Sequence, residues 1–273
     1  MTQRWIENRA TRGWRGIDLH ELWEYREVAL FLALRDLQVR YKQAVFGVGW
    51  ALVQPLASVA VFTLVFRQLA GMSSDGVAYP LFAFAGMVLW SYVSGAVTRS
   101  TQSLISNTPL VTKIYFPRLL VPLAAVLPGL ADLVVSLGLL ALLLVAYGAR
   151  PGFGVLTVPL WILAAISVSL GIGVWLAALN VRFRDVNHAV NLIVQLWLFL
   201  SPIAYPLSVV DATWRPLYAL NPMVGIVEGF RWALLDTPWP GAPVLVSIVS
   251  GVLLLLLGVA YFQRSERGFA DII

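Results

Sequence analysis

Residues 119–147 read LLVPLAAVLPGLADLVVSLGLLALLLVAY, with a single charged side chain, Asp132. A helix needs about 20 predominantly apolar residues to cross about 30 Å of hydrocarbon, so this stretch reads as a membrane span. Working outward, the same criterion marks five more spans, at 46–66, 79–98, 155–181, 189–207 and 242–263. The chain is therefore expected to be an all-α membrane protein with six transmembrane helices over residues 46–263.

Composition agrees. Hydrophobic residues make up 59% of the chain, charged residues 12%, and the mean hydropathy is +0.80. A soluble domain would carry about 25% charged residues. The net charge of +5 and the pI near 9.7 would suggest nucleic acid in a soluble protein. Here the basic residues instead report orientation, and no nucleic-acid partner is expected. Eight lie before residue 46: Arg4, Arg9, Arg12, Arg15, Arg26, Arg35, Arg40 and Lys42. Arg99, Lys113 and Arg118 follow the second span, Arg182 and Arg184 the fourth, and Arg264 and Arg267 lie in the tail 264–273. The alternate connections hold only Arg67, Arg150, Arg215 and Arg231. Basic residues accumulate in cytoplasmic loops, so both termini are expected in the cytoplasm. The first apolar run follows a segment rich in Asp and Glu, unlike a cleavable signal peptide. With no cysteine, disulfides and thiolate metal sites are excluded.

Before the first span, residues 1–18 are polar and 19–45 read as an amphipathic helix, with a short apolar run between Glu27 and Arg35. Two readings fit that helix: an anchor in the headgroup plane, or a docking surface for a partner. Pro55 lies inside the first span, Pro122 and Pro128 inside the third, and Pro202 and Pro206 near the outer end of the fifth. Each removes an intrahelical donor, which suits a gated bundle better than straight rods. Gly171 and Gly173 allow close helix approach in the fourth span. The outward segment 208–235 is apolar but broken at Asn221-Pro222, and it carries Glu228 and Arg231 three residues apart. It fits either a re-entrant helix pair closing the outer mouth of a pathway or a pair of helices lying flat.

The chemistry is sparse. There is no phosphate-binding G-x-x-x-x-G-K-[ST] loop, no nucleophile elbow and no zinc-protease motif, so no catalytic residue is expected. His20 and His188 lie in different segments without acidic neighbours in ligand spacing, so no metal site is expected. Asp132 is the one ionisable group read deep in a span. It is either a functional charge facing the bundle or a hydrogen-bonded packing residue. A transporter with neither a coupling-ion relay nor a nucleotide site needs an energy source elsewhere. Trp197, Phe199 and Tyr205 fall along the fifth span with Gln195 and Ser201. Aromatic rings stack on sugar faces without holding one geometry, so these three are candidates to line a glycan pathway, the alternative being core or lipid-facing packing.

Four blocks carry a family resemblance: RDLQVRYKQAVFGVGWALVQPL (35–56), KIYFPR (113–118), VRFRDVNHAVNLIVQLWLFLSPIAYP (181–206) and NPMVGIVEGFRWALL (221–235). Together they resemble the ABC-2 type membrane subunits that export polysaccharides, a family including exporters of O-antigen, capsular polysaccharide and teichoic acid. The resemblance implies a homodimer in the bacterial cytoplasmic membrane, bound to two copies of a separate ATPase that carries ATP and Mg. It implies a polyprenyl-diphosphate-linked glycan as substrate and no cofactor in this chain. It places Arg35, Asp36, Arg40, Tyr41 and Lys42 at the ATPase interface and Asn107, Leu110, Lys113 and Tyr115 in the coupling and gate helices. It places Asn221, Pro222, Glu228 and Arg231 in the outer gate. Two rivals stand beside it: an exporter of a drug or simple lipid, and an intramembrane transferase acting on polyprenyl-linked sugars. The second would need clustered acids, and no D-x-D pair is present.

Overall fold

The structure, a computed structural model, describes residues 19–42 and 49–269. The polar segment 1–18, the expected start of the first span at 46–48 and the tail residues 270–273 lie outside the described residues. Within the described residues twelve α-helices follow in order: α1 (Leu19–Glu24), α2 (Arg26–Lys42), α3 (Trp50–Phe62), α4 (Tyr79–Ser106), α5 (Thr108–Lys113), α6 (Leu120–Val126), α7 (Pro128–Ala146), α8 (Val158–Arg182), α9 (Val186–Phe199), α10 (Arg215–Tyr218), α11 (Pro222–Leu235) and α12 (Ala242–Ser265). Among the described residues there is no strand.

Among the described residues, five segments are long and apolar enough to cross a membrane: Leu52–Leu69, Tyr79–Ser106, Leu120–Ala146, Phe153–Arg182 and Ala242–Ser265. The first is α3 extended by a π-helical stretch, Thr63–Leu69. The third is α6 and α7 joined at Leu127, where Pro128 opens a new helix without needing a backbone donor. The second runs eight residues beyond the expected end, because no breaker intervenes before Asn107-Thr108-Pro109.

The expected fifth span, 189–207, is not a continuous helix. Helix α9 has 14 residues, about 21 Å at 1.5 Å per residue, and stops at Phe199. Pro202 is the reason: it lacks an N–H and pushes the preceding residue out of the helical region. Beyond it the chain turns until the Ser208 hydroxyl donates to Asp75 at 2.8 Å, in the connection between α3 and α4.

Helix α4 is the hub, buried over most of its length against α8, α6, α7, α11 and α3. Glycines set the closest crossings, as expected for Gly171 and Gly173. A Cβ on Gly171 would lie 2.6 Å from the Leu255 nitrogen of α12, and one on Gly258 would strike the Gly171 carbonyl. A Cβ on Gly173 would lie 2.6 Å from Ser100 of α4. Such backbone-to-backbone approach maximises van der Waals contact where lipid removes the hydrophobic incentive to associate.

At one end of the bundle, Leu32 of α2 packs with Leu104, Phe116, Leu119, Val181, Phe262 and Phe269. The N-terminal helices and the described C-terminal residues therefore share an end. Helix α2 departs from a single apolar stripe: Leu32 and Ala33 are buried, while Leu30, Phe31, Leu34 and Val39 are exposed on its other side. One face docks on α6, and the other offers apolar surface outward.

Candidate functional site

Two polar clusters stand out, one at each end of the bundle. The first gathers residues from the end of α2, the end of α4 and the start of α7. Arg35 donates from Nε and Nη2 to Asp36 Oδ1 at 3.0 and 2.7 Å, and its Nη2 also donates to Asn107 Oδ1 at 2.7 Å. Asn107 in turn donates to the Ser103 carbonyl at 2.8 Å, holding one of the last carbonyls of α4. Arg40 Nη1 donates to Asp132 Oδ2 at 2.5 Å, and the Tyr41 hydroxyl donates to Asp132 Oδ1. Burial, and then that hydrogen bond, pushes the Tyr41 hydroxyl up to about 12, so it remains a neutral donor at physiological pH.

Asp132, in the middle of the Leu120–Ala146 span, is thus not an isolated charge. It is reached from α2, and its carboxylate is the acceptor that ties the end of α2 to α7. Leu110 packs in the same end cluster. Lys42, Lys113 and Tyr115 are exposed there, on the outer side of the bundle rather than in the Asp132 network.

The second cluster is built on Asn221 and Arg231. Asn221 caps α11: its Oδ1 accepts from the Met223 N–H at 3.0 Å, and Pro222 occupies the first turn, where a missing donor is harmless. The same oxygen accepts from Trp197 Nε1 at 2.9 Å. Asn221 Nδ2 donates to the Leu200 carbonyl and to Ser201 Oγ at 2.8 and 3.0 Å. One side chain therefore stitches α9, the turn after it and α11 together.

Arg231 was expected in an outward segment, yet its side chain is completely buried. It donates to Glu228 Oε1 (3.1 Å) and to the carbonyls of Phe82, Pro202 and Ile203 (3.2, 2.5 and 2.7 Å). The guanidinium also lies 3.5 Å from the Phe82 ring centroid. The physical logic is local: a chain that leaves helical geometry at Pro202 exposes carbonyls, and buried carbonyls need donors. Glu228 keeps the cation neutralised and accepts from the Leu207 N–H at 3.3 Å.

The three aromatic candidates do not lie on one helix face. Trp197 turns inward, edge-on to Trp90 with centroids 5.3 Å apart. Phe199 points outward and is exposed. Tyr205 lies in the turn beyond α9, its hydroxyl 2.8 Å from both the Phe199 carbonyl and the Tyr218 hydroxyl. The physical reason is the same Pro202 stop. Trp197, Tyr218 and Asn221 do share a hollow of about 480 Å³ with Trp214, Leu200 and Leu217, and that hollow is almost wholly apolar. Sequence reading gave no site role to Arg99, which it placed in the connection after the second span, or to Tyr92, because what surrounds them comes from α6 and α7. Gly95 and Gly129, which make room for Arg99, were the available signal.

An α-helical bundle of membrane-crossing segments, with ionic ties at its ends, defines a polytopic membrane protein. The chain belongs to the ABC-2 type transporter family, whose model matches residues 28–235. Among its relatives are the O-antigen export system permease protein RfbA of Myxococcus xanthus, 31% identical over 93% of this chain and 98% of that protein, and an RfbA of Klebsiella pneumoniae, 25% identical over 90% and 95%. The polysialic acid transport protein KpsM of Escherichia coli is 23% identical over 75% of this chain and 80% of its own length.

Proposed function

We propose that this chain is the membrane subunit of an ATP-driven exporter that moves a lipid-linked polysaccharide of O-antigen or capsular type across the bacterial cytoplasmic membrane. The observation that carries the reading is the similarity along nearly the whole length of an O-antigen export permease, 31% identical over 98% of that protein. In this reading the chain crosses six times, the fifth crossing being α9 completed by the turn 200–206. Both termini face the cytoplasm. Segment 208–235 re-enters from the far side, with α11 as its buried limb. Two copies form the conduit, and two copies of a separate ATPase supply the energy of ATP and Mg. The α2 end with Arg35, Asp36 and Lys42, together with α5 carrying Leu110 and Lys113, receives that ATPase. Closure of the ATPases shifts the conduit between states only by its different effect on each.

Deletion of the gene tests the reading, with surface glycan and intracellular lipid-linked glycan as readouts. Export requires loss of the first and accumulation of the second, restored by this chain only when an ATPase subunit is co-expressed. Unchanged surface glycan overturns the reading. Stimulation of the purified complex by small amphiphiles, but not by glycan lipids, points to a drug or simple-lipid exporter instead.

A further inference from the structure

Around Asp132 the charges do not balance. Two guanidiniums, Arg40 and Arg99, lie within electrostatic reach of one carboxylate, and that carboxylate is already committed: Oδ2 to Arg40 and Oδ1 to Tyr41. Arg99, on α4, has a single hydrogen bond, from Nε to the Ala125 carbonyl at 3.2 Å. Among the described residues its two terminal nitrogens have no hydrogen-bond partner. They rest where side chains are missing. A Cβ on Gly95 would lie 2.9 Å from Nη1, and one on Gly129 would collide with Nη2.

Tyr92, two turns earlier on α4, turns its ring to the same point, with Cδ2 and Cε2 at 3.3 and 3.4 Å from that Gly129 position. Tyr92 is 3% exposed, and its buried hydroxyl has no hydrogen-bond partner among the described residues. An unmatched cation thus lies against the ring of a tyrosine whose hydroxyl is also unmatched among the described residues. Each is unfavourable at this depth unless an acceptor-rich anion completes the set.

The geometry points to a phosphate-binding site formed by Arg99, Arg40 and Tyr92, which takes the phosphate-bearing headgroup of a membrane lipid. A phosphate offers several acceptor oxygens, and a guanidinium fork matches two of them at once. A carboxylate ligand would satisfy the fork but leave fewer acceptors for the tyrosine. The depth suits a headgroup: Arg99 lies seven residues before Ser106, about 10 Å from the end of α4 that packs near α2. Surplus positive charge, rather than a neutral pair, is what a mobile anion needs in order to enter and leave. The site deepens the export reading and rests on it, since the diphosphate of a polyprenyl carrier and the phosphate of an ordinary phospholipid share this chemistry.

The test is binding of undecaprenyl diphosphate and of phosphatidylglycerol to the chain co-purified with its ATPase, followed by native mass spectrometry. R99Q and Y92F are each expected to weaken undecaprenyl diphosphate about tenfold, the scale of one hydrogen bond to a charged group. Y92F removes only an unpartnered hydroxyl, so it keeps the fold and carries the test if R99Q does not accumulate. G129A, which fills the space of Nη2, is expected to act like R99Q. If phosphatidylglycerol binds as tightly and responds equally to the variants, the occupant is a general membrane lipid. If it competes poorly, the occupant is the carrier. Wild-type affinity for both lipids in R99Q and Y92F overturns the site, while loss of surface glycan on gene deletion would leave the export reading standing. Surface glycan that persists on deletion fails that reading instead.

Discussion

Arg35 and Asn107 lie 72 positions apart in the chain and meet at 2.7 Å, side chain to side chain. The contact joins α2 to the end of α4, the most buried crossing helix, so a push on α2 reaches the centre of the bundle without passing through a loop. Because Asn107 also holds the Ser103 carbonyl, the joint fixes where α4 stops and α5 begins.

Replacing Arg35 and Asp36 together with Ala is expected to uncouple ATP hydrolysis, measured on the purified complex, from export, measured in cells. The pair is partly exposed, so its own contribution to stability is small, about 0–1 kcal/mol. Hydrolysis should continue while surface glycan falls several-fold at unchanged protein abundance. Export at the wild-type rate would remove α2 from the coupling path.

Arg231 should tolerate no substitution. Removing it leaves a buried Glu228 carboxylate unpaired and three carbonyls undonated, a loss of about 3–5 kcal/mol. R231K should not rescue, because one ammonium cannot span the fork geometry that reaches Phe82, Pro202 and Ile203. E228Q keeps an acceptor for Arg231 and should be milder. Thermal unfolding in nanodiscs ranks the three; equal melting of R231K and wild type would contradict the assignment.

Trp197 and Tyr205 separate pathway from packing. W197F keeps the ring against Trp90 and loses only the bond to Asn221, about 1 kcal/mol. The W197A/Y205A double variant should slow glycan export by more than it lowers membrane abundance. Proportionate falls in the two would assign both rings to packing.

Glu266 gives a pH signature. Its carboxyl accepts from the Arg118 backbone N–H at 3.1 Å, and Arg118 Nη1 donates to the Glu266 carbonyl at 2.7 Å. Burial raises its pKa, with nearby Glu21 adding to the rise and Arg118 opposing it. A carboxyl with a raised folded pKa binds its proton more tightly when folded. Its stabilising contribution is therefore complete below the unfolded value and is lost as pH rises through the folded one. E266Q should match the wild type at acidic pH and melt higher at neutral pH. A wild-type melting temperature that does not fall, relative to E266Q, between pH 4 and pH 8 would refute this.

Five of the six expected spans were legible because hydropathy reports on the chain alone. Residues 119–147 needed nothing else, and the glycines at 171 and 173 announced close packing. What could not be read was pairing. Arg99 looked like a loop charge because its depth depends on where α4 ends, and that is set by Asn107 meeting Arg35. Arg231 looked outward because two of its three carbonyl acceptors are freed at Pro202, about thirty residues earlier, and the third is Phe82 on α4. Likewise, the aromatic stripe through Trp197 and Tyr205 assumed a helix that Pro202 stops.

The crossing of Gly171 and Gly258 has a mechanical consequence. With no side chains between them, two backbones that touch cannot roll over one another, so α8 and α12 behave as a single strut. Gly225 against Ser247 and Gly229 against Trp161 bolt α11 to that strut. By contrast, α3 with its π-helical extension is the least buried of the five described spans.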